Sequence, residues 1–359
     1  MGTGIRFRII EPMMFRKSGE FDPSSRGFHS SARSMLIPTP STILGAISTV
    51  LMKENEAPSA NASWIDEYLD ILGADNVLRG PYLIVGREFF VEDRIDNILL
   101  ELKEVKELCD VCRGGFNKEW KEELTGKRPR IGSFNERVGI GLMTRVSDDN
   151  KSTKITKEGL LYSAFFVDYS SKDMSVTSVY LHMDAKVSLC DKLRDFRIMR
   201  LGGEGRIALL EPSTETMIER LRKEFWGNMN NFTGKLALFL VSPALFRSGR
   251  EISELKEEIE RQVAGSCKGL REMRIYGKIT LLGAGYSLSK RGRKPIYIAV
   301  EPGTLILTDV TDCNLETLYW NGIGEVGREI GYGSLLPIPI TNEKRALEAL
   351  KGSLINPLD

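Results

Sequence analysis

Histidine, the side chain most often used for acid–base chemistry near neutral pH, occurs only at His29 and His182 in 359 residues. Neither stands at the spacing of a metalloprotease, zinc hydrolase or zinc finger. His182 lies in the run Val179-Tyr180-Leu181-His182-Met183 and reads as a half-buried strand residue. His29 lies in a polar loop, where it is either an acid–base group or an exposed loop histidine. Cys109 and Cys112 form one Cys-x-x-Cys pair with no second pair to complete a zinc site, and Cys190, Cys267 and Cys313 are scattered, which reads as packing. There is no Walker P-loop, no Gly-x-Ser-x-Gly elbow and no kinase signature set. Asp148 and Asp149 sit in Ser/Asn/Lys-rich sequence that solvation explains better than magnesium. The chain is read as non-catalytic, with no metal and no cofactor expected.

What remains is glycine beside arginine. In Arg200-Leu201-Gly202-Gly203-Glu204-Gly205-Arg206 the glycines let main chain approach a polyanion while Arg200 and Arg206 reach its phosphates. A tight left-handed turn feeding the next strand is the competing reading. Lys290-Arg291-Gly292-Arg293-Lys294 falls between two strand patterns, so Lys290, Arg291 and Arg293 stand at a hairpin tip, as a backbone clamp or a solubilising turn. Lys127-Arg128-Pro129-Arg130 carries the same two readings. The loop from Arg16 and Lys17 through Arg26 and His29 to Ser31 mixes cations, hydroxyls and aromatics, the combination that holds single-stranded RNA by phosphate contacts and stacking. Flexible disorder is its alternative.

These residues must be positioned by a chain that is 42% hydrophobic and 28% charged, the balance of a globular protein. Single cores rarely exceed about 250 to 300 residues, so two domains are expected. Fifty Lys and Arg against forty-nine Asp and Glu give a net charge of +1, so any nucleic-acid site is a local basic patch rather than a whole-molecule field. Five cysteines at irregular spacing argue against a disulfide framework and for a reducing, cytoplasmic setting. Apolar runs such as Leu236 to Val241 are too short to span a bilayer, and the amino terminus lacks a signal-peptide core. A single glutamine, Gln262, among abundant Lys, Arg and Glu is a bias of hyperthermophile proteins.

Gly4 to Ile10 predicts a strand, and Ser41 caps a helix marked by Ile43, Leu44, Ile47, Val50 and Leu51. The same grammar recurs downstream: the strand Leu236 to Val241, then a helix at Ile252, Leu255, Ile259 and Val263. Pro12-Met13-Met14-Phe15-Arg16 matches Pro243-Ala244-Leu245-Phe246-Arg247, and each half ends in a glycine-rich stretch, an internal repeat. Further strands are expected at Leu160 to Val167, Val176 to Met183, Arg206 to Leu210, Ile275 to Leu282, Ile296 to Val300 and Thr304 to Val310. The fold class is α+β: two ferredoxin-like (RRM-like) domains with antiparallel sheets, residues 1–230 and 234–359. Helical periodicity at Ile98, Leu102, Val105 and Cys109 within dense charge predicts an inserted helical arm over about 94–130.

The order of short motifs resembles a family. Glu11-Pro12-Met13-Met14-Phe15-Arg16, the proline-rich Ile37-Pro38-Thr39-Pro40-Ser41-Thr42-Ile43-Leu44-Gly45-Ala46, Arg137-Val138-Gly139-Ile140-Gly141-Leu142, Glu158-Gly159-Leu160-Leu161-Tyr162, Leu201 to Arg206, Lys294-Pro295, Pro302-Gly303 and Gly331-Tyr332-Gly333 are similar, in that order, to the third subunit of the type III-B CRISPR (Cmr) effector complex, in the repeat-associated mysterious protein (RAMP) superfamily. The resemblance implies two ferredoxin-like domains, no nuclease activity, contact with the 5′ tag of the CRISPR RNA, and partners in the large polymerase-like subunit and a neighbouring backbone subunit. It makes Gly202, Gly203, Gly205 and Arg206, with Arg16 and Lys17, the favoured RNA contacts, and Arg247 and Ser248 their second-half copies. The rival within the superfamily is a guide-RNA-processing endoribonuclease with His29 as general acid and Lys17 or Arg16 stabilising the transition state. A pure protein scaffold is a third reading, and predicts no RNA affinity.

Overall fold

A computed structural model describes residues 2–17, 31–51, 63–73, 75–111, 121–122, 125–126, 131–146, 152–169, 178–187, 189, 193, 198–227, 229, 231–247, 251–287 and 292–340. The first half contains β1 (Thr3–Ile9), β2 (Ser31–Ala32), α1 (Pro40–Leu51), α2 (Asp66–Leu72), β3 (Leu78–Val85), β4 (Glu88–Asp93), β5 (Ile98–Glu101), α3 (Leu102–Val111), β6 (Ser133–Val146), β7 (Ser152–Asp168), β8 (Val179–Ala185), β9 (Ile198–Arg200), β10 (Ile207–Ser213) and α4 (Met217–Leu221). Seven of these strands form one antiparallel sheet in the order β5-β4-β3-β8-β1-β10-β9. Ile5 and Phe7 alternate into its core, and α1 buries Ile43, Leu44 and Ile47, the face that their spacing predicts. β6 and β7 make a long hairpin whose far strand takes β2 in parallel.

The second half contains β11 (Asn231–Leu240), β12 (Ala244–Phe246), α5 (Ile252–Ala264), β13 (Cys267–Lys268), β14 (Arg271–Tyr276), β15 (Ile279–Gly283), β16 (Tyr286–Ser287), β17 (Gly292–Arg293), β18 (Ile296–Val300), β19 (Leu305–Asn314), α6 (Leu315–Asn321) and β20 (Leu335–Pro339). Its main sheet runs β13-β19-β11-β20 with β14 also on β19, beside a three-stranded sheet β12-β18-β15 and the small hairpin β16-β17. Mixed α/β architecture with almost wholly antiparallel pairing is the class the sequence predicts.

Three expectations change. The periodic run from Ile98 is not one helix: Ile98–Glu101 pairs with β4 as an edge strand, and the helix begins at Leu102. An apolar run of this length fits either period, and strand pairing decides it. Leu102, Val105, Leu108 and Cys109 then enter the main core, so over these residues the predicted solvated arm is a packing helix. The strand expected from Ile275 to Leu282 breaks at Gly277, whose Cα lies against the Thr304 side chain with no room for a Cβ, and the chain crosses from the β19 sheet to the β18 sheet. Cys267 and Cys313, expected to be packed thiols, face each other across β13 and β19 and are joined as a disulfide. Irregular spacing hid the pair because partners on adjacent strands need no sequence proximity.

The internal repeat is visible in three dimensions. The Gly203 amide donates to the Met14 carbonyl and the Glu325 amide donates to the Leu245 carbonyl, each at 2.8 Å. Met14 and Leu245 hold the same place in the two Pro-x-x-Phe-Arg segments, and Leu201-Gly202-Gly203-Glu204-Gly205-Arg206 superposes in pattern on Ile323-Gly324-Glu325-Val326-Gly327-Arg328. The matched glycines share left-handed backbone: φ is 78° at Gly202 and 114° at Gly324, 67° at Gly205 and 72° at Gly327.

The halves share their apolar interior. One buried cluster joins Tyr82, Phe89 and Val105 to Phe239, Leu318 and Leu336, and another joins Phe7 and Ile47 to Leu245, Ala299 and Tyr332. Arg79, on β3, is buried and donates to the carbonyls of Leu78 (2.6 Å), Tyr319 (2.8 Å), Arg328 (2.5 Å) and Trp320. Burial pulls its guanidinium down to about 10. Three of its four acceptors belong to the second half, at the carboxyl end of α6 and the turn beyond, where a cation is favoured.

Candidate nucleic-acid interface

The opening segment after β1 is a narrow strip whose burial changes abruptly. Met13 exchanges two 2.8 Å hydrogen bonds with Val167 of β7, the Phe15 amide donates to Ser34 Oγ (2.8 Å), and the Met35 and Lys17 amides donate to the Phe15 and Arg33 carbonyls (2.7 and 2.9 Å). Met13, Met14 and Phe15 are buried, whereas Arg16 and Lys17 are exposed. Apolar pattern and backbone pairing thus fix the strip and present its two cations where the strip meets solvent.

Against its back lies the glycine-rich turn. A Cβ on Gly202 would stand 2.5 Å from the Met14 carbonyl oxygen, so only glycine fits there, while a Cβ on Gly205 would meet open space. The Gly203 amide is already committed to Met14. Gly202 and Gly203 therefore serve first as packing against residues 14 and 15, the structural reading of the cluster, and Gly205 is the glycine on its open side.

Arg206 leaves the turn toward Glu11, pairing at 2.6 Å, while the Ile207 amide donates to the same carboxylate at 2.9 Å. The Ile207 amide, followed by Arg206 and Arg137, holds the Glu11 carboxyl below its ordinary value, against the opposing effect of burial. Arg206 also stacks over Phe166 at 4.6 Å, with Arg137 over the same ring at 5.1 Å. Sequence reasoning proposed Arg206 but missed Glu11, Phe166 and Arg137 as its companions; the strand-borne Phe166 gives no local signal.

Arg293 lies on the second-half hairpin β16-β17, opposite Tyr286. Partial desolvation, then the charge of Arg293, pulls Arg16 below its ordinary value, with Glu204 of the glycine-rich turn acting the other way. The charges of the second-half hairpin and of the glycine-rich turn thus both act on Arg16. Arg200, exposed at the end of β9, sits opposite Ile207 in the ladder that the turn closes. Arg247 occupies the equivalent strip of the second half, its amide donating to Glu325 at 2.9 Å. Arg26, His29, Ser248, Lys290 and Arg291 lie outside the described residues, as do residues 127–130.

Lys294, grouped in sequence with the basic hairpin tip, turns the other way. Its ammonium lies 4.8 Å from the ring centres of both Trp64 and Tyr68 and donates to the Tyr68 hydroxyl at 2.9 Å. Burial pulls it down to about 8. Lys294 therefore pins the base of the hairpin that carries Arg293. Trp64, just before α2, and Tyr68 within it carry no sequence signal that links them to Lys294.

His182 is fully buried, with Nε2 2.7 Å from Asp184. Asp184 also accepts the amides of Met217 and Ile218, both at 3.0 Å, and the Tyr319 hydroxyl at 2.7 Å, so it satisfies the first two amides of α4 while Thr216, the N-cap, accepts from Glu219. Enclosure on all sides removes this histidine from contact with substrate. Among the described residues no group of His, Cys, Asp and Glu is placed to hold a metal ion, and no helix is long and apolar enough to cross a membrane.

The family model for CRISPR-associated protein (Cas_Cmr3) matches residues 118–340, more than half of the chain. The chain belongs to the Cas_Cmr3 family. This family member is 24% identical over 343 residues to the CRISPR system CMR subunit Cmr3 of Saccharolobus solfataricus, spanning 92% of this chain and 95% of that protein. It shares its fold with a chain of the type III-B Cmr-beta complex bound to cognate target RNA, at TM-score 0.60 and 21% identity over 92% of this chain and 96% of that one. A second such structure, with target RNA and AMPPnP, gives TM-score 0.59 at 20% identity over 92% and 95% of the two chains. The family match spans the glycine-rich turn, Arg293 and Lys294, and begins downstream of the opening strip.

Proposed function

We propose that this chain is the Cmr3 subunit of a type III-B CRISPR (Cmr) effector complex in the cytoplasm, a RAMP-superfamily protein of two ferredoxin-like domains, 1–230 and 234–359, that holds the 5′ tag of the CRISPR RNA without chemistry and docks the large polymerase-like subunit beside a neighbouring backbone subunit. The observation that carries the RNA-holding reading is the pair of exposed cations Arg16 and Lys17 at the solvent end of a buried, hydrogen-bonded strip, within electrostatic reach of Arg293 from the other half. Cations at a solvent-facing edge hold RNA phosphates by charge-assisted hydrogen bonds, and phosphate contacts set register without reading sequence. Lys17, exposed next to Arg16, and the exposed Arg200 are proposed as further phosphate contacts, with Arg26, His29, Lys290 and Arg291 as candidates outside the described residues. Arg206 supports the site from behind through Glu11 and Phe166.

The test is retention and cleavage of end-labelled CRISPR RNA bearing the repeat-derived tag, with and without divalent metal, by the purified chain alone and assembled with its partner subunits. The proposal expects retention that depends on the tag, and intact RNA throughout. Cleavage at a fixed position in the repeat, lost in His29→Ala, would instead make the chain a processing ribonuclease. Absence of tag-dependent retention both alone and assembled would leave only a protein scaffold.

A further inference from the structure

The two copies of the repeat differ where residue 203 of the first matches residue 325 of the second. The Glu325 amide donates to the Leu245 carbonyl as the Gly203 amide does to Met14, so both residues are held at the same place on their strips. From that place the Glu325 carboxylate accepts the Arg247 amide at 2.9 Å. Arg247 matches Arg16, and both are exposed. Along the first strip the Phe15 carbonyl and the Lys17 amide bond toward residues 33–35, whereas the Met14 carbonyl bonds toward the glycine-rich turn. Bonding groups of an extended strip alternate between its edges, so the Arg16 amide lies on the turn side, the edge from which the Arg247 amide meets Glu325.

Neither backbone nor packing demands glycine at 203. Its φ lies outside the left-handed region that Gly202 and Gly205 occupy. A Cβ there would come no nearer than 3.4 Å to Met14, an ordinary contact, against 2.5 Å at Gly202. What glycine changes is that residue 203 puts no carboxylate beside Arg16, where the second half puts one beside Arg247.

We infer that the Glu325 carboxylate stands in for a phosphate: it closes the second-half copy of the site with the chain's own charge, and glycine at 203 leaves the first-half copy to take an RNA phosphate beside Arg16. The inference rests on the RNA-holding reading and makes Glu325 the residue that confines binding to one half. A carboxylate and a phosphodiester both present anionic oxygens to main-chain N–H groups and guanidiniums, so one can take the place of the other on matching strips. Arg247 is then a blocked copy rather than an RNA contact.

The probe is end-labelled RNA bearing the repeat-derived tag, titrated onto the full chain alone and assembled with its partner subunits. The variants are Gly203→Ala, Gly203→Gln, Gly203→Glu, Glu325→Ala and Glu325→Ala/Arg247→Ala. Gly203→Ala adds only a Cβ that has room, and should bind within about twofold of wild type. Gly203→Gln and Gly203→Glu fill the place, and each should weaken binding by about tenfold or more at an unchanged urea midpoint. Loss in the glutamine variant separates occupancy from the repulsion that glutamate adds. Glu204, whose charge also acts on Arg16, is present in every variant and does not distinguish them. Glu325→Ala removes an exposed contact, which keeps the test open whatever residue 203 tolerates. It should bind a second tag strand per chain, lost again in Glu325→Ala/Arg247→Ala. A folded Gly203→Gln chain that binds like wild type, or Glu325→Ala that binds one strand only, would overturn the inference and leave the RNA-holding reading intact. Wild type failing to retain tag RNA, both alone and assembled, would remove that reading itself, before any substitution is compared.

Discussion

At the scale of single residues, the glycine-rich turn separates two uses of glycine. At Gly202 both the positive φ and the 2.5 Å approach to Met14 demand it; at Gly205 only the φ does. Backbone strain at such a position costs about 1 to 3 kcal/mol, and a clash adds to it, so Gly202→Ala should lower the urea midpoint further than Gly205→Ala. Equal losses would mean that contact with residue 14 is not what requires Gly202. Glu11 gives a pH prediction. Its carboxyl is held below 4.5 in the folded chain, so its contribution is complete above that pH and is lost as pH falls further. Glu11→Gln should flatten the decline in stability below pH 4.5, and a variant whose acid profile matches wild type would show the Arg206 and Ile207 contacts to be energetically idle.

At the scale of elements, the buried guanidinium of Arg79 ties β3 to the end of α6 and the turn at Arg328. Removing it leaves several carbonyls without donors, and each buried unsatisfied group costs about 1 to 3 kcal/mol. Arg79→Met should therefore lower stability by several kcal/mol in chemical denaturation, and a loss below about 1 kcal/mol would mean that the halves do not depend on this clamp. The Cys267–Cys313 bond predicts that unfolded chain shows at least two fewer reactive thiols before reduction than after. Equal counts would remove the bond. Elements with a clear period were legible: β1, α1, α5 and β18 stand within a residue or two of their predicted places, and the repeat of Pro12–Arg16 at Pro243–Arg247 was visible as sequence. What could not be read was decided by distant neighbours: Ile98 as strand because β4 lies beside it, the break at Gly277 because Thr304 occupies its side, the inward turn of Lys294 because Trp64 and Tyr68 wait for it. The candidate site was legible in residue type and not in geometry; Arg16 and Arg293 could be named separately, but not the electrostatic link between them.

At the scale of the whole molecule, a chain with net charge +1 cannot attract RNA by its total field, so the proposed RNA binding rests on a few local cations. Each half contributes one Pro-x-x-Phe-Arg strip and one glycine-rich turn, and the second-half hairpin adds Arg293, whose charge acts on Arg16 of the first half. The central claim is that this pair grips phosphate, and the most direct measurement is the salt dependence of tag-RNA affinity for wild type and for Arg16→Ala/Arg293→Ala. Each phosphate contact on single-stranded nucleic acid contributes about 0.7 to the slope of log affinity against log salt. A folded double variant should bind more weakly at low salt, with a slope shallower by roughly 1.4, the sum for two contacts. An unchanged slope and affinity in that variant would contradict the account.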